Sequence, residues 1–317
     1  MLSRVADSLY WMSRYLERTE NMARLVDVHL NLTLDGSPAD AVRHWERLLA
    51  SLPEPPPWVQ KPAAGASART VVDLAHRESI AACVGAAREN ARQVREEISS
   101  EMWEEINRLF LAVQQRQPIE SEWTADTHEF LAAAINGVHQ IQGVTDATMT
   151  HGEGWQYIEL GRYLERASAT AAILDAQFRE FSPDATQPAG VGEYVEWVSL
   201  LKSCCAFEGY CRHYTADVRP QRIAEFLVLN TEFPRSIHFA AARLQMALRA
   251  IASLTGRVNG RTDRLAGRLL ASLDYGQIEE IMGELPTYLQ GIVRQANSIN
   301  AAVYQQYISY PIDAGLT

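Results

Sequence analysis

Arg14-Tyr15-Leu16-Glu17-Arg18 returns unchanged later in the chain as Arg162-Tyr163-Leu164-Glu165-Arg166. Five consecutive identities, three of them charged, are not expected by chance in 317 residues. Related positions continue outside the pentapeptide: Ala23 answers Ala171, Leu25 answers Ile173, Val26 answers Leu174 and Asp27 answers Asp175. The chain therefore reads as one domain with an internal repeat, 1–150 and 151–317. Leading into the first copy, Val5, Leu9, Met12 and Leu16 recur at spacings of four, three and four, the period of an amphipathic helix. That period persists along the chain and strand-like alternation is scarce. The expected fold is all-α, a helical bundle of two halves related by a pseudo-twofold repeat.

Breakers divide the helices. The first helix is expected from about Leu2 to the Asp35-Gly36-Ser37-Pro38 break, and a short one over Ala39 to Leu52. Pro53, Pro55, Pro56, Pro57, Pro62 and Gly65 predict an irregular loop, with helix resuming near Thr70. From Ile80 an apolar stripe runs through Val84, Ala87, Ala91 and Val94. Ser99 and Ser100 ahead of Glu101, Glu104 and Glu105 mark another helix start, with acids near the positive end of the dipole. Helices are expected over Ser121 to Thr150 and Trp155 to Phe181, then a second break through Pro183, Pro188, Gly190 and Gly192 where the first half has its own. Trp45 with Trp197, and Ser79-Ile80 with Ser236-Ile237, extend the repeat at a growing offset, as small loop insertions would produce. Pro220 and Pro234 stand where new helices can begin. Two helices, near Asp263 to Leu273 and Gln277 to Tyr307, finish the chain.

Composition narrows the function. A net charge of −10 argues against sequence-independent nucleic-acid binding, which needs clustered Lys and Arg. No apolar run reaches the roughly 18 residues of a membrane helix. Met1 to Tyr10 carries Asp7 and lacks the plan of a signal or transit peptide, so a cytoplasmic location is expected. Cys83, Cys204, Cys205 and Cys211 show neither Cys-x-x-Cys nor zinc spacing and read as buried, reduced thiols, with a redox or nucleophile cluster as the minor alternative. No metal site and no cofactor are expected. Of 29 basic residues only Lys61 and Lys202 are lysines. Such a bias suits recognition of an anion, and genomic composition would also produce it.

Arg14, Glu17 and Arg18 share one helical face at i, i+3 and i+4, as do Arg162, Glu165 and Arg166. Two arginines around one glutamate leave each cluster able to receive a further anion. If the two helices pack about a twofold, Glu17 meets Arg166 while Glu165 meets Arg18, a buried network fixing helix register. Otherwise a ligand carboxylate or phosphate fills the space. An anion site would draw on Arg14, Arg18, Arg162 and Arg166, with Arg88, Asn90 and Arg92 from a neighbouring helix; Glu17 and Glu165 are the candidate catalytic residues. His151-Gly-Glu-Gly154 is a weak candidate anion loop at a helix entry. A P-loop, a Gly-x-Ser-x-Gly elbow, Glu-x-x-His, His-Glu-x-x-His and Asp-Asp-x-x-Asp are all missing from the sequence. His139 and His238 read as core or surface residues rather than ligands.

Four motifs in order, Trp11-Met-Ser-Arg-Tyr-Leu-Glu-Arg-Thr-Glu-Asn-Met-Ala-Arg24, Ala87-Arg-Glu-Asn-Ala-Arg92 with Ser99-Ser-Glu-Met-Trp103, Gly161-Arg-Tyr-Leu-Glu-Arg-Ala167 and Phe233-Pro-Arg-Ser236, resemble the bacterial alpha-E family. The family is all-helical with a Glu-Arg motif, matched here by Glu17-Arg18 and Glu165-Arg166. The resemblance implies association with a circularly permuted ATP-grasp amide ligase and a transglutaminase-like peptidase that together make or trim a peptide-like product. It implies no reaction for the helical domain itself. Three roles follow: a partner subunit positioning an anionic peptide-like substrate, a transferase or ligase using Glu17 or Glu165 as base, or a small-acid-binding or purely scaffolding protein.

Overall fold

A computed structural model describes residues 1–34, 38–52, 79–115, 125–181, 191–215, 217–256 and 260–308. The described residues form thirteen helices and no strand: α1 (Ser3–Leu34), α2 (Pro38–Ala50), α3 (Ile80–Gln93), α4 (Ser100–Gln115), α5 (Ala125–Thr148), α6 (Glu153–Glu180), α7 (Val191–Ser203), α8 (Phe207–Tyr214), α9 (Pro220–Leu229), α10 (Ile237–Thr255), α11 (Arg261–Asp274), α12 (Ile278–Gly283) and α13 (Leu285–Val303). The all-α expectation holds. The Pro-rich stretch 53–62, the helix start near Thr70 and the break through 182–190 lie outside the described residues.

The helices α1 and α6, which carry the two pentapeptides, pack along each other at the centre. Around α1 stand α3 and α5, joined through α4; around α6 stand α10 and α13, joined through α11. The stripe read from the sequence is the buried face: Val5, Leu9, Met12 and Leu16 on α1, and Ile80, Val84, Ala87 and Ala91 on α3. Burying such side chains contributes roughly 1.5–3 kcal/mol each, which is why the period alone determines these helices.

Ser79 and Ser236 are both extended N-caps. Ser79 Oγ accepts from the Ala82 N–H at 3.1 Å and Ser236 Oγ from the Phe239 N–H at 3.0 Å. The contact between α1 and α6 is closest just ahead of the pentapeptides. Ser13 Oγ donates to Ile158 O at 2.6 Å, and a Cβ on Gly161 would run into Tyr10 O. Glycine is therefore required at 161 by interhelical distance, not by backbone conformation.

Three expectations need correction. The single helix from Gln277 to Tyr307 is divided at Glu284, because Pro286 cannot continue a preceding helix and instead opens α13, with a π-turn at Tyr304–Ile308 closing it. Pro220 does open α9, but Pro234 does not open a helix. Asn230 Oδ1 accepts from the Glu232 and Phe233 N–H groups in a turn, and the cap falls to Ser236. Finally, of the four cysteines expected to be buried, Cys211 is half-buried and Cys205 is exposed. It occupies the left-handed position after α7, φ 54°, where Ala206 N–H closes onto Leu201 O at 2.7 Å.

Candidate functional site: the Glu–Arg pairs

The α1–α6 contact brings the two Glu-Arg motifs together reciprocally. Arg166 clasps Glu17 with Nε to Oε1 at 2.7 Å and Nη2 to Oε2 at 2.8 Å. Arg18 clasps Glu165 with Nε to Oε1 at 2.7 Å and Nη2 to Oε2 at 3.2 Å. Both are two-point forks, the strongest geometry for this pair. Glu17 is 1% exposed and Glu165 2%, so these are interior ion pairs.

Each carboxylate has a second guanidinium. Arg14 Nε reaches Glu165 Oε2 at 2.8 Å, while its Nη1 donates to Asn300 Oδ1 at 2.9 Å and its guanidinium lies over Trp11. Glu17 instead receives Arg235 Nη1 at 3.4 Å, from the turn before α10, and Gln142 Nε2 at 3.2 Å from α5. Arg235 continues to Asn21 Oδ1 at 2.9 Å and pairs with Glu20, which also takes Arg24 at 2.8 Å and His139 Nε2 at 2.9 Å.

Burial opposes the charge on Glu165, yet Arg18 and Arg14 overcome it and hold the carboxyl down to about 2. Glu20 is held lower than usual in the same way, against burial, by Arg235, His139 and Arg24. For Arg166, burial works against the cation and Glu17 more than offsets it, so its pKa is raised. Five guanidiniums (Arg14, Arg18, Arg24, Arg166, Arg235) face three carboxylates (Glu17, Glu20, Glu165). The cluster is thus rich in guanidiniums. Glu17 and Glu165 accept from guanidiniums on both oxygens, which leaves poor bases at neutral pH.

The other sequence candidates lie in different surroundings. Arg162 pairs with Glu159 on its own helix at 2.7 Å, and Arg243 approaches the same carboxylate at 3.5 Å. Arg88 Nε donates to Asn107 Oδ1 at 2.7 Å and its guanidinium sits over Phe110. Asn90 donates to Ala86 O at 2.8 Å, and Arg92 forks onto Glu89 at the surface. None of these three contacts the Glu–Arg pairs. At the 151–154 loop, His151 stacks on Trp155 and the N-terminal amine meets Glu153 at 3.1 Å, so the α6 entry already faces a carboxylate. His139 is bound to Glu20 and His238 to Asp274 at 2.7 Å. Among the described residues no three His, Cys, Asp or Glu side chains gather as metal ligands would.

Sequence reasoning missed Glu20, Asn21 and Arg235. Glu20 and Asn21 stand at i+3 and i+4 from Glu17, so they share its face and were readable. The Arg235 position depends on how the chain returns before α10, which no local pattern encodes.

An all-helical bundle closed by reciprocal Glu–Arg forks is the class this geometry defines. The chain belongs to the Alpha-E family, described as a predicted alpha-helical domain with a conserved ER motif, whose model matches residues 1–308. It is similar to uncharacterized proteins of Mycobacterium bovis and Mycobacterium tuberculosis, at 24% identity over 298 residues, covering 88% of this chain and 33% of each relative. The chain thus spans about a third of the length of the curated relatives it matches. No solved structure matches it.

Proposed function

We propose that the chain is a cytoplasmic helical partner subunit of a circularly permuted ATP-grasp amide or peptide ligase, positioning an anionic peptide-like substrate. A transglutaminase-like peptidase would act in the same system. The observation that carries this reading is the occupation of both oxygens of Glu17 and Glu165 by guanidiniums. A carboxylate engaged in that way is a latch between helices rather than a proton acceptor. The surplus of guanidiniums over carboxylates supports an anionic substrate nearby. The length of the curated relatives supports a domain that works beside further protein. The family resemblance supplies the identity of the partners.

The same reading includes a pseudo-twofold duplication. Its support is that α1 with α3, α4 and α5 contacts in the same pattern as α6 with α10, α11 and α13, and that Ser79 and Ser236 cap corresponding helices.

The test is reconstitution. Purified chain, cognate ATP-grasp ligase, ATP and acidic peptide are combined and each protein is omitted in turn. Amide formation that needs both proteins, with none from the helical chain alone, is the expected result. Turnover by the isolated chain, abolished in a folded Glu165→Gln variant, would instead establish the transferase reading.

A further inference from the structure

The turns that join α11, α12 and α13 form a groove of about 530 Å³. Tyr275 after α11 and Tyr288 near the start of α13 line it, together with Glu280 of α12 and Glu284 between α12 and α13. Six of its nine lining residues are exposed, so it lies open along the surface. No Lys, Arg or His is among them.

The groove follows from how the chain turns. A Cβ on Gly276 would come within 2.9 Å of Ser272 O and 3.1 Å of Ile281 Cδ1, so a side chain there would force the α11–α12 turn apart. Pro286 then opens α13 as a new helix, and Tyr288 OH donates to Ser272 O at 3.3 Å, tying α13 to the last turn of α11. Tyr288 is thereby fixed. Tyr275 has no side-chain hydrogen bond or ring contact among the described residues and is 86% exposed, more than any other large apolar side chain described.

The charge of the groove has one sign. Glu280 and Glu284 stand four residues apart at the end of α12, a spacing at which like charges repel. Neither makes an ion pair or a side-chain hydrogen bond among the described residues, and Glu284 precedes α13 without capping it. The last carbonyls of α11, which ends at Asp274, add the negative end of a helix dipole. A cation placed here would relieve the repulsion. A metal ion would find too few ligands, since no three His, Cys, Asp or Glu side chains gather among the described residues. Tyrosine faces favour an organic cation, and a planar guanidinium stacks on such a face while its edge reaches a carboxylate. Sites for free small molecules bury roughly 70–90% of their ligand, which an open groove does not. An arginine carried on a chain meets the exposed rim as well as the rings, and Tyr with Arg is a pairing typical of interface hot spots.

We infer that the groove between α11 and α13 docks an arginine side chain of a partner protein. The guanidinium lies against Tyr275 and Tyr288 with Glu280 and Glu284 at its edge, and the partner backbone follows the rim. The net charge of −10 adds a longer-range attraction for such a basic segment. The inference does not rest on the ligase partnership, since any protein that presents the arginine satisfies it.

The probe is the peptide acetyl-Gly-Arg-Gly-amide, titrated into the whole chain by calorimetry. Beside it run the same peptide with citrulline, which keeps the shape without the charge, and free methylguanidinium. We expect the arginine peptide to bind roughly tenfold or more tightly than either. Tyr275→Ala, and Glu280→Gln combined with Glu284→Gln, should each weaken it about fivefold or more, at exposed positions whose replacement leaves the fold intact. Glu279→Gln, an exposed neighbour outside the lining, should change the affinity less than about twofold. No binding at about 10 mM peptide, equal affinity for the citrulline peptide, or indifference to Tyr275→Ala would overturn the inference. A loss in Glu279→Gln as large as in the double variant would reduce the binding to diffuse attraction by an acidic protein. Methylguanidinium binding as tightly as the peptide would make the groove a small-cation site and overturn the docking of a partner.

Discussion

Arg14 and Arg162 open identical pentapeptides, yet Arg14 crosses to Glu165 on the other helix whereas Arg162 turns back to Glu159 on its own. The glutamates differ in parallel fashion. Glu165 draws both of its guanidiniums from α1, while Glu17 draws one from α6 and one from the turn before α10. What the copies share is what the pentapeptide itself dictates: a helix, a buried Leu16 or Leu164, and a Glu-Arg step that can fork across a close helix pair. What differs comes from segments outside the repeat. A repeated motif therefore fixes the reciprocal forks, and its neighbours decide how much each copy is worth.

The largest effect should come from opening a fork. Glu165→Gln leaves Arg14 and Arg18 buried beside each other without a carboxylate and should cost roughly 3–5 kcal/mol in a urea melt at pH 7. Glu17→Gln should cost a similar or smaller amount, since it strands buried Arg166 while Arg235 keeps Glu20 and Asn21. A gap between the two variants of less than about 1 kcal/mol would make the forks equivalent despite their different second arginines.

The same contrast has a pH form. The Glu165 pKa is depressed by folding, so the unfolded chain binds the extra proton as acid is added, and the contribution of this carboxylate is full above about pH 4.5. It should fade as pH falls from there towards 2, by roughly 3 kcal/mol in all. The stability difference between wild type and Glu165→Gln is thus expected to stay constant from pH 7 to 5 and to narrow below. The protonation of His29, whose pKa is also lowered, weakens both proteins alike between pH 6.5 and 3 and cancels from the difference. A difference that stays flat to pH 3 would mean that the carboxylate is not held by Arg18 and Arg14.

Local patterns revealed most of the helices, because a 3.6-residue apolar period and a capping serine are one-dimensional facts, but α7 and α8 were not among those expected. The forks were legible too, once Arg14, Glu17 and Arg18 were seen to share a face with a copy elsewhere. The break at Glu284 was missed because the apolar stripe continues across Pro286 and hides the change of helix. The groove between Tyr275 and Tyr288 was hidden for the same reason. A single helix from Gln277 to Tyr307 would carry Tyr288 away from Tyr275, and nothing local signals that the turns bring both to one groove.

A smaller effect separates the two residues that precede the pentapeptides. Gly161→Ala places a methyl group against Tyr10 O, a backbone atom that can give way only if α1 and α6 move apart. Overpacking of this kind should cost roughly 1–3 kcal/mol and lengthen the forks. Ser13→Ala, at the matching position of the first copy, removes only the hydrogen bond to Ile158 O and should cost about 1 kcal/mol. Equal losses would place the closest helix contact elsewhere.

The smallest effect tests the asymmetry itself. Arg162 is 14% exposed at its side chain and pairs with Glu159 three residues back, and Arg243 stands ready beside the same carboxylate. Arg162→Gln should therefore cost no more than about 1 kcal/mol, the range of a partly solvated pair within one helix. Arg14→Gln removes one of the two guanidiniums on Glu165 and its bond to Asn300, and should cost about 2 kcal/mol or more. Combining Arg162→Gln with Arg243→Gln leaves Glu159, only 4% exposed, without a guanidinium partner, so the double variant should lose more than its parts together. If Arg162→Gln alone already matches Arg14→Gln, the two copies are energetically equal and neighbouring segments do not set the difference.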